Sequence, residues 1–557
     1  MQESALAKVA VLIASEDPYG AWHMEAIRKI GLLCDVVKPQ DLTQIARYST
    51  LILLGEDALG SDHVRLITDW SKNRGSIVAV AGTWGLDELL GVTPIDEPLN
   101  DDRVIAAEEP LIWPKGALNA RFFGGRVVKP SGAEVLLHTE SGQAAATRKD
   151  RAFFFAPHLG QTAALMAMGS AVESDGVGPP DTSAFLADGV PRAEDGSRLS
   201  FLLDRRAGQT DGAPAFLDPY LDTLRGVLAR LVFSATESTG RSAVTFWPWP
   251  DNSPAAAACT VECSALSADG ISHSYGALAQ TGMPATWLIP TPGMAAEVYR
   301  SILRWDHSVG LLARHEQDST TEKLRVQYLT ISRASGSKQM VAHRSADGRW
   351  KGRSQAYRAS EEVGNLLSLN KGGRQPGTSG FLFGTSHPFS PLPDSTGKSE
   401  VLELPYAIFQ PGQQCPVHNF PALIHQASAA GGCLHFSFDT TLLQDTAATQ
   451  NLMALLTLIR KAGMRQMTPD AVYHFEIGRR KLRSSWHGAV LGLIAERPLE
   501  GFTVLVQGAQ HQADIAGRRR APEPTTRFGH TFTPFVLDLE QKSQAQLKFR
   551  LERNQAA

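Results

Sequence analysis

Short unbroken apolar runs alternate with helically spaced apolar positions over the first hundred residues of this 557-residue chain. The run KVAVLIAS (8–15) predicts a buried strand. AWHMEAIRKIG (21–31), with Met24, Ile27 and Ile30 on one face, predicts a helix. CDVVKP (34–39) and STLILLGE (49–56) predict two more strands. HVRLITDWSKNRG (63–75) predicts a helix ending at Gly75, and SIVAVAG (76–82) a fourth strand. Strands that are apolar on both sides and separated by helices imply a parallel sheet covered on both faces.

Residues 100–238 are less regular. DRAFFFAPHLG (150–160) predicts a strand followed by a turn, and DGSRLSFLLDRR (195–206) a further strand. PYLDTLRGVLARLVFSA (219–235) predicts an amphipathic helix, because Leu221, Leu224, Val227, Leu228, Leu231 and Val232 share one face. FWPWPDNSP (246–254) reads as a linker, since its prolines forbid a helix interior and resist sheet pairing. Strand-like and helix-like pieces alternate again from 255 to about 480. The last 75 residues carry only short strands with turns between them, as in GFTVLVQG and PFVLDLE, which predicts a small β-sandwich. The expected division is 1–238, 239–482 and 483–557, an α/β multidomain chain.

Composition narrows the partners. The chain is 43% hydrophobic and 20% charged, with 54 basic against 57 acidic residues and a net charge of −3. Such a balance supplies no field for a polyanion, so nucleic acid is not an expected partner. No window approaches ~18 uninterrupted apolar residues, so no transmembrane segment is expected. The N-terminus lacks the pattern of a signal peptide, and a cytoplasmic location is the expectation. Five cysteines at 34, 259, 263, 415 and 433 form no CxxC pair. They read as free thiols in a reducing compartment rather than a disulfide framework or a structural zinc site.

Two resemblances rest on motifs. The order of strands and helices up to TWGLDELLG (83–91) is similar to the class I glutamine amidotransferase-like fold, which implies a flavodoxin-like sheet. Active members carry a cysteine nucleophile at the turn occupied here by AGTWG (81–85), where Thr83 stands. A threonine hydroxyl without a dedicated base is a poor nucleophile, so this part is expected to be a non-catalytic module. In the second half, CTVECSALSADG (259–270), GMPATWLIP (282–290), DHSVGLL (306–312), MVAHRSADGRWKG (340–352), GFLFGTSHPF (380–389), VLELPY (401–406) and GGCLHFSFDTTLL (431–443) follow one another in the order found in polysaccharide deacetylases. This series resembles that superfamily and implies a distorted (β/α) barrel.

The resemblance implies metal-assisted removal of an acetyl group from a sugar. A first Asp acts as base, a second Asp and two histidines hold a divalent ion, usually zinc, and a late His serves as acid. Carried over position by position, Glu262 falls at the base, and Cys263 or Ser264 at the metal Asp. His307 matches a histidine that is usually structural. Leu312 stands where the first ligand His is expected, and His315 or Glu316 at the second. Asp439 falls at the late His, near His435. His343, Arg344 and His387 match positions that line the pocket, and Trp350, which lies near these motifs, offers an aromatic face for a sugar. Three ligand or acid positions depart from the pattern together, and a zinc site stripped of most donors binds far more weakly. The expectation is a degenerate deacetylase that needs no cofactor and binds a glycan, a sugar intermediate or a protein partner, as a scaffold subunit. The alternatives are an active zinc-dependent carbohydrate deacetylase rebuilt from Glu262, Cys263 and His315, and a structural subunit of a larger assembly.

Overall fold

The apolar runs of the first hundred residues become the strands expected of them: Val9–Ile13, Cys34–Val37, Thr50–Gly55 and Ser76–Ala81. The computed structural model describes residues 6–105, 112–178, 187–207, 213–314, 321–337, 339–393, 399–509 and 511–550. It divides into two units. One comprises Met1–Ala164, Thr223–Asn252 and Phe475–Ala557, and the other Leu165–Asp222 and Ser253–His474.

The sheet of the first unit runs in the order 34–37, 9–13, 50–55, 76–81 and 152–155, all parallel. It continues through antiparallel strands at 144–149, 134–139, 101–105 and 119–123. This is a flavodoxin-like sheet with an antiparallel extension. The helix Gly20–Ile30 ends at Gly31, whose left-handed φ of 75° lets its N–H bond back to Arg28 and Ile27. At the AGTWG turn the left-handed residue next to Thr83 is Trp84, at φ 58°. Its indole is buried and donates to the Gly55 carbonyl at 2.9 Å, so an aromatic ring fills the turn.

The expected helix spans Tyr220–Glu237, and Leu224, Val227, Leu228, Leu231 and Val232 are completely buried. Leu228→Ala is expected to destabilise the first unit by about 2–5 kcal/mol, because the surroundings close only partly over the lost volume; chemical denaturation followed by hydrogen exchange checks it. The strand expected within 195–206 does not form. Ser200 and Asp204 compete for the backbone instead: Asp204 accepts from the Ser200 amide at 2.5 Å, and the Ser200 hydroxyl accepts from the amides of Leu202 and Leu203 at 3.3 Å. The result is a turn that leaves Leu202 and Leu203 exposed.

The C-terminal strands of the first unit form two antiparallel sheets. Val244–Phe246 pairs with Leu499–Gln507, followed by His530–Leu539 and Thr525–Arg527. The other sheet runs 483–487, 490–494, 544–550, 512–515 and 518–520. Phe535 of the first meets Phe549 of the second edge-to-face with ring centres 5.7 Å apart, a sandwich core. Arg518–Arg520 forms an exposed edge strand, where charge discourages pairing with another chain.

The second unit is built on a curled parallel half-barrel. Its strands run 402–403, 367–368, 342–345, 308–313, 286–289, 256–262, 433–439 and 408–409, all parallel. The strand Ala256–Glu262 is buried along its whole length. Its odd-numbered residues Ala257, Cys259 and Val261, continued by Cys263, join the apolar cluster that also holds Trp287, Tyr299, Leu434, Phe436 and Phe438. Its even-numbered Thr260 and Glu262 take the opposite face, as the two-residue period of a strand requires. All five cysteines are free, and no helix among the described residues is long and apolar enough to cross a membrane.

Candidate functional site

The polar face of the half-barrel converges on Glu262. The strand Ala342–Ser345 supplies Arg344, the strand Cys433–Asp439 supplies Ser437, and the loop after Leu367–Ser368 supplies Arg374. Arg344 Nη1 donates to Glu262 Oε1 at 2.5 Å and to Ser437 Oγ at 2.6 Å, while its Nε donates to the Leu369 carbonyl. Arg374 grips the same carboxylate with both terminal nitrogens, at 2.7 Å to Oε1 and 3.0 Å to Oε2. Both guanidiniums lie on aromatic faces, Arg344 at 4.4 Å from the Tyr406 ring centre and Arg374 at 4.0 Å from that of Phe409. Such planar forks suit carboxylate and ring together.

The side chains of Glu262 and Arg344 are 3% and 0% exposed, and that of Arg374 10%. Burial by itself would raise the Glu262 pKa. The charges of Arg374 and then Arg344, with their hydrogen bonds, outweigh it and hold the carboxyl at about 2. Glu194 closes the outer side, accepting from the Arg374 amide at 2.6 Å and from the Thr378 hydroxyl at 3.0 Å. Burial raises its pKa.

The other residues singled out in the sequence lie apart from this centre. Cys263 follows Glu262 and therefore faces the apolar layer. It is fully buried, and burial, followed by the charges of Asp439 and Glu262, pushes its thiol well above the usual range. A thiolate ligand needs the reverse. Ser264 donates its amide to Asp439 Oδ2 at 3.2 Å, and Asp439 Oδ1 accepts from the amide and hydroxyl of Thr441 at 2.9 and 2.7 Å. Asp439 thus ties two strand-end loops together. Leu312 is buried, and His315, Glu316 and Asp318 lie outside the described residues.

His343 and Arg344 occupy opposite faces of one strand. His343 turns to the helix Gln355–Val363, where its Nε2 pairs with Ser360 Oγ at 2.9 Å. His387 pairs through Nε2 with the Ala430 carbonyl at 3.1 Å. Trp350 is packed inside, with its ring centre 5.0 Å from that of Tyr357, and presents no open face to a sugar. His307 accepts the Ala285 amide on Nδ1 at 2.9 Å, a supporting role. His435 bridges Thr260 Oγ1 and the Leu404 carbonyl. Burial and then the Arg344 charge push its pKa down to about 3, so the ring is neutral.

Sequence reasoning missed Arg374, Glu194 and a second buried cluster beside them. Glu403 accepts from Tyr357 Oη at 3.1 Å, from the Lys371 amide at 2.7 Å and from the Ser368 hydroxyl. Lys371 donates its ammonium to the Met168 carbonyl at 2.7 Å, and burial lowers its pKa to about 8. The available signal was the pair of cations in KGGRQPG (371–377), unusual next to so apolar a stretch.

No family model matches the chain, and no curated protein matches it in sequence. Among solved structures, that of Agd3, described as a novel carbohydrate deacetylase, aligns with 98% of this chain and 99% of that one at 8% identity and a TM-score of 0.41. A putative polysaccharide deacetylase from Mycobacterium smegmatis aligns with 42% of this chain and 93% of its own at 15% identity and a TM-score of 0.33. An exo-β-1,4-mannosidase from Opitutaceae bacterium strain TAV5 aligns with 28% of this chain and only 32% of its own, at 13% identity and a TM-score of 0.24. Likenesses of this size assign neither family nor activity.

Proposed function

We propose that this chain is a non-catalytic relative of the polysaccharide deacetylases that serves in the cytoplasm as a binding or scaffold subunit, its half-barrel mouth meeting a glycan or a protein partner. The observation that carries the reading is the capture of Glu262 by two guanidiniums. A general base must accept a proton near the working pH and reach its substrate or water. Glu262 is held at about 2, and both its oxygens already accept from arginine. Arg344 and Arg374 supply the positive charge that a cation would bring to this carboxylate, and a divalent ion would have to displace them. The rebuilt zinc site of Glu262, Cys263 and His315 is disfavoured because Glu262 and Cys263 face opposite sides of their strand.

Acetate release from N- and O-acetylated oligosaccharides, measured with the full chain and added zinc, is expected to stay at background. Release that disappears in Glu262→Gln would defeat the reading. Binding to an array of immobilised glycans, or to a copurifying partner, is expected to weaken in Arg374→Gln, the arginine nearer the surface. Equal binding by that variant would remove the half-barrel mouth from the interaction.

A further inference from the structure

We infer that the flavodoxin-like sheet carries a site for one divalent transition-metal ion of the zinc class, formed by Asp17, His23 and His158. These residues belong to the first unit, and neither resemblance described above gives them a role. Asp17 sits in the loop leaving the strand Val9–Ile13, and His23 in the first turns of the helix Gly20–Ile30. His158 lies between the strand Ala152–Phe155 and the helix Leu159–Met168. The three therefore gather at the carboxyl ends of parallel strands, where open α/β sheets bind their ligands.

The spacing suits a small tetrahedral ion. Asp17 Oδ2 lies 3.4 Å from His23 Nε2 and 3.4 Å from His158 Nε2, and one donor atom from each residue falls within 4.8 Å of the others. Two donors bound at 2.0–2.1 Å to a tetrahedral zinc ion stand about 3.3 Å apart. Asp17 Oδ2 and both ring nitrogens of His23 are buried without a hydrogen-bond partner, although the His23 side chain is 0% and the Asp17 side chain 3% exposed. Buried polar atoms are rarely left so, and two of these, Asp17 Oδ2 and His23 Nε2, stand at the separation of two ligands of one ion. The opposite carboxylate oxygen is already fixed by the Tyr19 amide at 2.7 Å, which orients Oδ2.

The surrounding backbone is shaped around these groups. A Cβ on Gly55, which has φ +87°, would come within 2.3 Å of Asp17 Oδ2, and one on Gly160 within 2.6 Å of His23 Cδ2. His158, 13% exposed, forms the rim through which an ion would enter. Its Nδ1 accepts the Gln161 amide at 3.1 Å, which places the proton of the neutral ring on Nε2, facing Asp17. Metal binding replaces that proton. It moves to Nδ1 and the Gln161 hydrogen bond is given up, so His158 is the weaker of the two imidazole ligands. Two imidazoles and one carboxylate leave a fourth position open, and this donor set accommodates zinc, cobalt or nickel.

The metal-stripped full chain is titrated with zinc or cobalt alone, and bound metal is counted by plasma mass spectrometry after dialysis. One equivalent is expected, together with a cobalt spectrum that lacks a thiolate charge-transfer band. Asp17→Asn and His158→Asn are each expected to weaken binding more than about 10-fold, since even an outer partner of a ligand is worth about 10–100-fold. Asparagine at 158 can still cap the following helix, so loss of binding there is not loss of fold. Cys263→Ala is expected to bind as the parent does. A folded parent that takes up neither metal overturns the inference. So does parental affinity in both Asp17→Asn and His158→Asn, or a stoichiometry that falls only in Cys263→Ala.

Discussion

Glu262→Ala is expected to cost the half-barrel unit about 3–5 kcal/mol, the usual effect of leaving a buried charge without its partner. Here two guanidiniums would be stranded, Arg344 with no exposed surface and Arg374 with little. Glu262→Gln should lose less, because an amide oxygen in the place of Oε1 still accepts two of the three hydrogen bonds. Replacing Glu262, Arg344 and Arg374 together with apolar residues of similar volume should recover most of the loss, since it removes the charges instead of unpairing them. Denaturant midpoints of the three variants distinguish these cases. A change below about 1 kcal/mol in Glu262→Ala, the scale of a surface pair, would contradict the buried ion pair.

The same carboxyl sets an acid dependence. Its folded pKa of about 2 lies below the ordinary value of 4.5. A depressed carboxyl contributes stability that is fully present above the unfolded value and lost as pH falls through the folded one. The parent is therefore expected to lose stability between about pH 5 and pH 2 more steeply than Glu262→Gln. Unfolding midpoints measured across that window check the slope. Equal slopes would show that Glu262 carries no shifted titration.

The second large effect is expected at Glu476, in the last turns of the helix Pro469–Arg480. Its carboxylate accepts from Lys29 Nζ, from Arg479 Nη2 at 2.8 Å and from Arg480 Nε at 2.8 Å. Arg480 also holds Glu25 at 2.6 and 3.0 Å. Three cations and two anions are thus buried in the first unit, with side chains no more than 10% exposed. Glu476→Ala leaves three cations against one carboxylate and is expected to cost at least as much as Glu262→Ala, about 3–5 kcal/mol. Burial and then the Arg480 charge already lower the Lys29 pKa to about 7. Without Glu476 that ammonium should shed its proton, and Lys29→Met should then restore part of the lost stability. Hydrogen exchange across residues 20–30 and 475–480 reads both effects. No rescue by Lys29→Met would mean that the stranded lysine is not the source of the cost.

The elements were legible where one residue pattern settles them. Periodicity located the parallel strands and the Tyr220–Glu237 helix, because burial of an apolar face is decided within ten or twenty residues. It erred at 195–206, where two short polar side chains outbid the sheet for the backbone. The family resemblance placed Glu262 and Cys263 in one candidate site, whereas adjacent strand residues face opposite ways. That alternation was readable in ACTVEC (258–263), whose Cys259, Val261 and Cys263 line up on one side.

The chain by itself thus determined most of its strands and helices and its polar and apolar strand faces, all consequences of short-range order. Only the tertiary structure decided that residues 165–222 and 253–474 form one unit while the C-terminal strands join the first. It alone brought Arg374 to a carboxylate 112 positions away, and His158 to Asp17. Charge pairing and ligand geometry depend on distances of a few ångströms between segments far apart in the chain, and no local pattern encodes those distances.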